Sequence, residues 1–211
     1  MKFFKPVLKG KTIYRILMDN LVEKECADLG HDVLDLAGGG APSYYDRLPK
    51  DIHLIRTNRF AGEGIDAPVD FNNELPYADG SFDTVLFFNA LYVAEDRESL
   101  MKEIHRILRP SGRAFIASPF ISNEMPEPHD YCRLTHEGLA KLFQSSGFSQ
   151  YRIIRFGERF SVSAYLLHSF FLFSFIRLFV YPLALFLDML IPRGVRKNHP
   201  TPLGYFCILK K

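Results

Sequence analysis

Three consecutive glycines, Gly38, Gly39 and Gly40, close a short apolar stretch that carries Asp35. A turn without Cβ atoms lets the backbone approach a ligand closely. Taken alone, the run fits a flexible strand-to-helix turn equally well. It does not match the dinucleotide pattern G-x-G-x-x-G, because Ala41, Pro42 and Ser43 follow it, so dinucleotide redox chemistry has little support. Further along, His129 is the side chain of the segment 126–135 whose ordinary pKa suits a general base near neutrality. Asp130 and Arg133 lie three residues apart and also read as an ion pair that staples this segment. Cys26, Cys132 and Cys207 are odd in number, far apart and in no C-x-x-C arrangement. They suggest neither a disulfide framework nor a metal site, and they fit a reducing compartment.

The chain that must position these groups has 211 residues, enough for one domain with an appendage but not for two full domains. Its 47% hydrophobic and 24% charged residues are those of a folded chain. Lysine and arginine total 26 against 24 acidic residues, so the net charge of +2 gives no electrostatic reason to expect a nucleic-acid partner. Residues 1–11 are basic, but no apolar run of signal-peptide length follows before Arg15 and Asp19, so a cytoplasmic chain is expected.

Apolar spacing predicts a helix over 11–29, stopped by Gly30, then a strand over 31–36 that runs into the glycines. Further strands are expected over 52–55, 84–88, 114–118, 151–156 and 204–209. Helices are expected over 100–108, ended by Pro110 to Gly112, and over 135–143 with Thr135 as N-cap. Strands alternating with helices imply a doubly wound, mostly parallel α/β sheet with helices on both faces. In such a sheet, ligands sit beyond the carboxyl ends of the strands where the strand order reverses.

Read together, four runs are specific. Val33 to Gly40 resembles the first motif of class I S-adenosylmethionine (SAM)-dependent methyltransferases. Asp70 to Asp83 resembles their acidic adenine loop and the run after it. Asn89 to Val93 matches the segment after the fourth strand, and Glu103 to Gly112 matches an E-x-x-R helix with its turn. The runs occur in family order over roughly 31–120 and are similar to small-molecule methyltransferases of the ubiquinone/menaquinone-biosynthesis type. The resemblance implies a Rossmann-like seven-stranded sheet in a single domain over 1–211, with SAM as cofactor. It also implies roles. The Gly38–Gly40 amides, with Ala37, meet the methionine carboxylate, and Asp35 draws in the cofactor ammonium. Asp70 accepts from the adenine amino group beside Phe71, and Asn89 borders the methyl-transfer site. Asp83 more simply fixes a strand entrance.

Three positions depart from the family pattern. Ala37 and Ala41 stand where the first and third loop glycines belong, and Asn58 stands where a carboxylate usually accepts both ribose hydroxyls. Losing that charge is worth on the order of 1 kcal/mol, about five- to tenfold in affinity. These departures support a rival reading, a methyltransferase-like binding or scaffold protein without turnover. On the acceptor side, His129 as base and Tyr131 as wall are expected over the cofactor's methyl group, although positioning alone can drive the transfer. A small-molecule or lipid-linked acceptor is expected, with oxygen slightly preferred as nucleophile. Tyr44 and Tyr45 read equally as cover for the site or as packing.

Twenty phenylalanines and no tryptophan point to the segment 160–192, a Phe-rich helical insertion before the last strand. Its uncharged run reaches the length of a membrane span only by including several serines and His168, and Pro182 is expected to break the helix at that point. Two readings stand. One is a helical pair in a membrane interface, with the chain at the inner face of the membrane. The other is a cap over the acceptor or a homodimer face.

Overall fold

The computed structural model describes residues 3–39, 42–126, 129–171 and 173–211. Seven strands form one sheet: β1 (Asp32–Asp35), β2 (His53–Asn58), β3 (Ala67–Pro68), β4 (Phe82–Phe88), β5 (Leu108–Pro119), β6 (Gln150–Phe156) and β7 (Gly204–Lys210). Their order is β3-β2-β1-β4-β5-β7-β6. Pairings from β3 through β5 are parallel, and β7 runs antiparallel between β5 and β6. The doubly wound, mostly parallel seven-stranded sheet is therefore present, and its order reverses between β1 and β4.

The strand period of two builds both layers. In β4, Val85 and Phe87 face one core, with Leu100 and Ile104 of α3 (Arg97–Ile107) and Leu139 and Phe143 of α4 (His136–Ser145). Leu86 and Phe88 face the other core. That core holds Val7 of α1 (Phe4–Leu8), Ile13 and Ile16 of α2 (Ile13–Glu25), Val162 of α5 (Arg159–Leu166), and Tyr181 and Ala184 of α6 (Ser174–Leu190). The expected N-cap Thr135 accepts from the Gly138 amide at 3.1 Å, and Asp96 caps α3 in the same way.

Local chemistry explains the motif runs. Arg109 pairs at 2.8 Å with both Asp32 and Asp83, and Asp83 also accepts from the Asp32 amide at 3.0 Å. Asp83 thus fixes the strand entrance, as its position suggested. Glu103 accepts from the Leu75 amide, and Arg106 donates to the Leu75 and Tyr77 carbonyls. The E-x-x-R pair therefore holds the loop between β3 and β4.

The structure corrects two boundaries. β5 begins at Leu108 and runs through the expected turn, with an irregular register between Phe82 and Thr84 and Ser111 at φ +66°. Nor does Pro182 end its helix, for α6 continues through it to Leu190. Proline removes one i→i−4 bond, which a surface helix tolerates when packing on one side holds it. A last helix, α7 (Arg193–Asn198), precedes β7.

Candidate active site

After β1 the chain stays tied to both neighbouring strands. The Leu36 amide donates to Leu86 on β4 at 2.9 Å, and the Gly38 amide to Thr57 on β2 at 3.1 Å. It turns at Gly39, whose φ of +59° is one that side chains rarely adopt. Gly40 and Ala41 lie outside the described residues. The returning segment is clamped by two acids one turn apart on α2. Asp19, buried and paired with Lys11 at 2.9 Å, accepts from the Ser43 hydroxyl at 2.9 Å, and Glu23 pairs with Arg47.

This clamp sets Tyr44 and Tyr45 against Asp35. Tyr44 donates its hydroxyl to Asp35 Oδ2 at 2.6 Å. Asp35 has no exposed surface, and burial pushes its carboxyl up to about 6 despite the nearby tyrosine hydroxyls, which favour the charged form. Burial likewise raises both tyrosines. Among the described residues, Asp35 Oδ1 and the Tyr45 hydroxyl are buried without a hydrogen-bond partner. A Cβ on Gly38 would stand 2.6 Å from Asp35 Oδ2, so only glycine fits there.

Two cavities flank this turn at the carboxyl edge of the sheet. The first, about 350 Å³, is lined by Thr12, Tyr14, Arg15, Gly38, Asn89 and Tyr165, among others. The second, about 250 Å³, is lined by Asn58, Phe60, Phe71, Asn72 and His129, among others. Ala37 and Tyr92 line both. Arg15 is the single formal charge among the described lining residues of the first cavity. Asn89 sits at φ +56° with its amide bonded to Ala117, and its Oδ1 accepts from the Tyr14 hydroxyl at 2.5 Å. Asparagine tolerates this left-handed region better than most residues, and strain of this kind gathers at functional sites.

The second cavity modifies two expected roles. Asn58 Oδ1 accepts from the Arg59 amide at 2.7 Å, so the side chain offers its NH2 rather than its carbonyl to a ligand. Asp70 accepts from the Asn72 amide at 3.1 Å and lies 3.5 Å from Arg59 Nε, behind Phe71 and Asn72. Phe71 is buried edge-on to Phe87. A direct role for the Gly38 amide is also corrected, because Thr57 already occupies it. Asp35 lines neither cavity among the described residues and lies behind Tyr44 and Gly38.

The segment after β5 is stapled as the spacing of Asp130 and Arg133 suggested. Arg133 Nη2 donates to Asp130 Oδ2 at 2.6 Å, and the pair holds Asp130 below the usual carboxylate range. Asp130 accepts from the Met125 amide, while the Arg133 guanidinium lies 4.8 Å over the Tyr92 ring. The Tyr131 amide donates to the Tyr92 carbonyl at 2.9 Å. These ties bring His129 into the second cavity, stacked on the half-exposed Tyr131, rather than into the first with Tyr14 and Asn89. Tyr131 lines neither cavity among the described residues. Sequence reasoning missed Tyr14, Arg15 and Tyr165, and helix periodicity at the start of α2 or in α5 carries no signal for them.

Residues 54–116 match the family model described as a methyltransferase domain. The chain is 46% identical over 55 residues to the ubiquinone/menaquinone biosynthesis C-methyltransferase UbiE of Desulfotalea psychrophila, covering 26% of this chain and 22% of that protein. It is 30% identical over 95 residues to the O-methyltransferase resE of Aspergillus sclerotiorum, covering 40% and 35%. The match thus spans less than half the length of either relative. The fold is similar to that of a SAM-dependent methyltransferase from Archaeoglobus fulgidus, with a TM-score of 0.64 at 14% identity over 99% of this chain and 98% of that one. Residues 54–116 thus form a methyltransferase domain by similarity, and the motif runs lie in order on a sheet of the SAM-dependent methyltransferase fold whose order reverses beside the glycine turn.

Proposed function

We propose that the chain binds SAM across the two cavities and transfers its methyl group to a small-molecule acceptor held in the first. The observation that carries this reading is the two-lobed cleft at the switch point between β1 and β4, its lobes meeting at Ala37 and Tyr92. The close-packed turn at Gly38, with Asp35 buried behind it and holding Tyr44 at the wall of the first cavity, fits a ligand lying against this turn. When bound, SAM supplies a methyl group on an activated sulfonium, which an acceptor lone pair displaces in line.

The residues divide the work. Arg15, the lone cation of the first cavity, neutralises the methionine carboxylate where the Gly38 amide is already engaged. The Asn58 NH2 donates to a ribose hydroxyl. Phe71 walls the adenine, and Asp70 accepts from its amino group with the capacity that Arg59 and Asn72 leave free. Tyr14, fixed by Asn89, orients an acceptor hydroxyl, which favours oxygen as nucleophile. His129, backed by the stacked Tyr131, closes the nucleoside lobe rather than acting as base beside an acceptor wall. A lipid-linked acceptor also fits, since Tyr165 lines the first cavity while Leu166 and Leu167 beside it are exposed.

Titration calorimetry and thermal shift with SAM and with its demethylated product test the reading. Ligand at 100 times its dissociation constant should stabilise the fold by about 2.7 kcal/mol. Arg15→Gln should then weaken binding about tenfold or more, as expected for a charge-assisted contact. No shift at millimolar ligand overturns the proposal. Binding without turnover on any phenolic or lipid acceptor favours the second reading, a binding protein on the same fold, which the engaged carbonyl of Asn58 supports.

A further inference from the structure

We propose that the outward face of α6, with α1 beside it and α7 at its end, docks on an anionic lipid membrane. This does not depend on methyl transfer. α6 is apolar on both sides. Tyr181, Ala184 and Asp188 face inward and are buried, whereas Phe175, Phe179, Leu183, Phe186 and Leu190 form a stripe at helical spacing that stays exposed, Phe179 by 76%. A helix of this kind is normally covered on both sides, and a contiguous apolar face of this size marks an interaction surface.

The charges say what covers it. The insertion has one carboxylate, Asp188, and Glu158 stands just before it; both are turned into the protein. Glu158 caps α5 and accepts from the Thr201 amide, and Asp188 accepts from the Phe160 and Ser161 amides at 2.8 and 3.2 Å. What remains exposed is basic: Arg193, Arg196 and Lys197 on α7, with Lys5 and Lys9 flanking the exposed Phe4 and Leu8 of α1. A second copy of the chain would bring like-charged rims together, whereas anionic headgroups neutralise them. A cavity of about 460 Å³ lies beside α6 and α7, lined by Leu185, Met189, Arg155 and Arg196 and by the amide-bonded Glu158 and Asp188. Among the described residues no helix is long and apolar enough to cross a membrane, so the face lies in the interface and does not span it.

Co-sedimentation of the full chain with vesicles tests this. Vesicles of equal parts phosphatidylglycerol and phosphatidylcholine should pellet the protein, and phosphatidylcholine alone should do so far less. Phe175→Ser, Phe179→Ser and Phe186→Ser together should release it with the melting temperature unchanged. Arg193→Gln, Arg196→Gln and Lys197→Gln should weaken partitioning about fivefold per charge, as should added salt. This second variant touches only exposed residues, so it decides the matter even if the serine variant fails to fold. Wild-type protein left in the supernatant with anionic vesicles overturns the proposal. So does a solution dimer that the serine variant makes monomeric while vesicle binding is unaltered.

Discussion

The glycine turn and the Phe-rich insertion solve opposite problems with the same kinds of residues. At the turn, acids aim other groups: buried Asp19 and half-exposed Glu23 hold the returning segment, and buried Asp35 receives Tyr44. Polar atoms are left available around a cleft. At the insertion, Asp188 and the preceding Glu158 are buried, which keeps negative charge off the surface, and the apolar side chains of α6 are left outside. Buried carboxylates in both places are costly in themselves. They are kept where they orient a ligand-binding loop in one region and where they leave a cationic, apolar face in the other. An exposed phenylalanine and a buried aspartate are thus both signs of use, read in opposite directions.

Substitutions at neighbouring positions break the comparison most sharply. Within α6, Tyr181→Ala should cost about 3–5 kcal/mol, because Tyr181 is fully buried in the second core layer. Chemical denaturation reads this directly. At the turn, Gly38→Ala should cost about 1–3 kcal/mol by overpacking against Asp35 and should abolish measurable SAM binding. Retained binding would mean that the loop relaxes.

Asp35→Asn probes the buried charge. Its carboxyl is raised in the folded state, so the folded form holds the proton more tightly than the unfolded chain does. The wild type therefore loses stability as pH rises from about 4 to about 6, and the penalty is complete above that. The amide carries no such penalty. The variant should be more stable than wild type at pH 8, by on the order of 1–3 kcal/mol, with the gap closing as pH falls toward 4. It should also bind SAM more weakly. A gap that does not change with pH would remove the buried charge from the account. The smallest effect is expected at Phe179→Ser, within about 0.5 kcal/mol of wild type, since the side chain stands in solvent. Paired with Tyr181→Ala, it measures the two faces of one helix.

The sheet and the family were legible in the sequence because their signals are local. The apolar run of β4, the cap at Thr135 and the paired Asp130 and Arg133 depend on residues within a turn or two of each other. The four motif runs carry the loop contacts in their own spacing. β3, only two residues long, gave no such signal, and α6 outlasted Pro182 because Tyr181 and Asp188 anchor it to distant elements. At the site, sequence alone determined that Asp35, the glycines, Asn58, Phe71 and Asn89 would gather at one edge. Only the tertiary structure decided what each has left to offer. Thr57 occupies the Gly38 amide, Arg59 occupies the Asn58 carbonyl, and Tyr92 draws His129 to the second cavity. It likewise brought Tyr14, Arg15 and Tyr165 to the first cavity. Residue type sets what a group can bond; which bonds remain open depends on partners that the fold alone brings together.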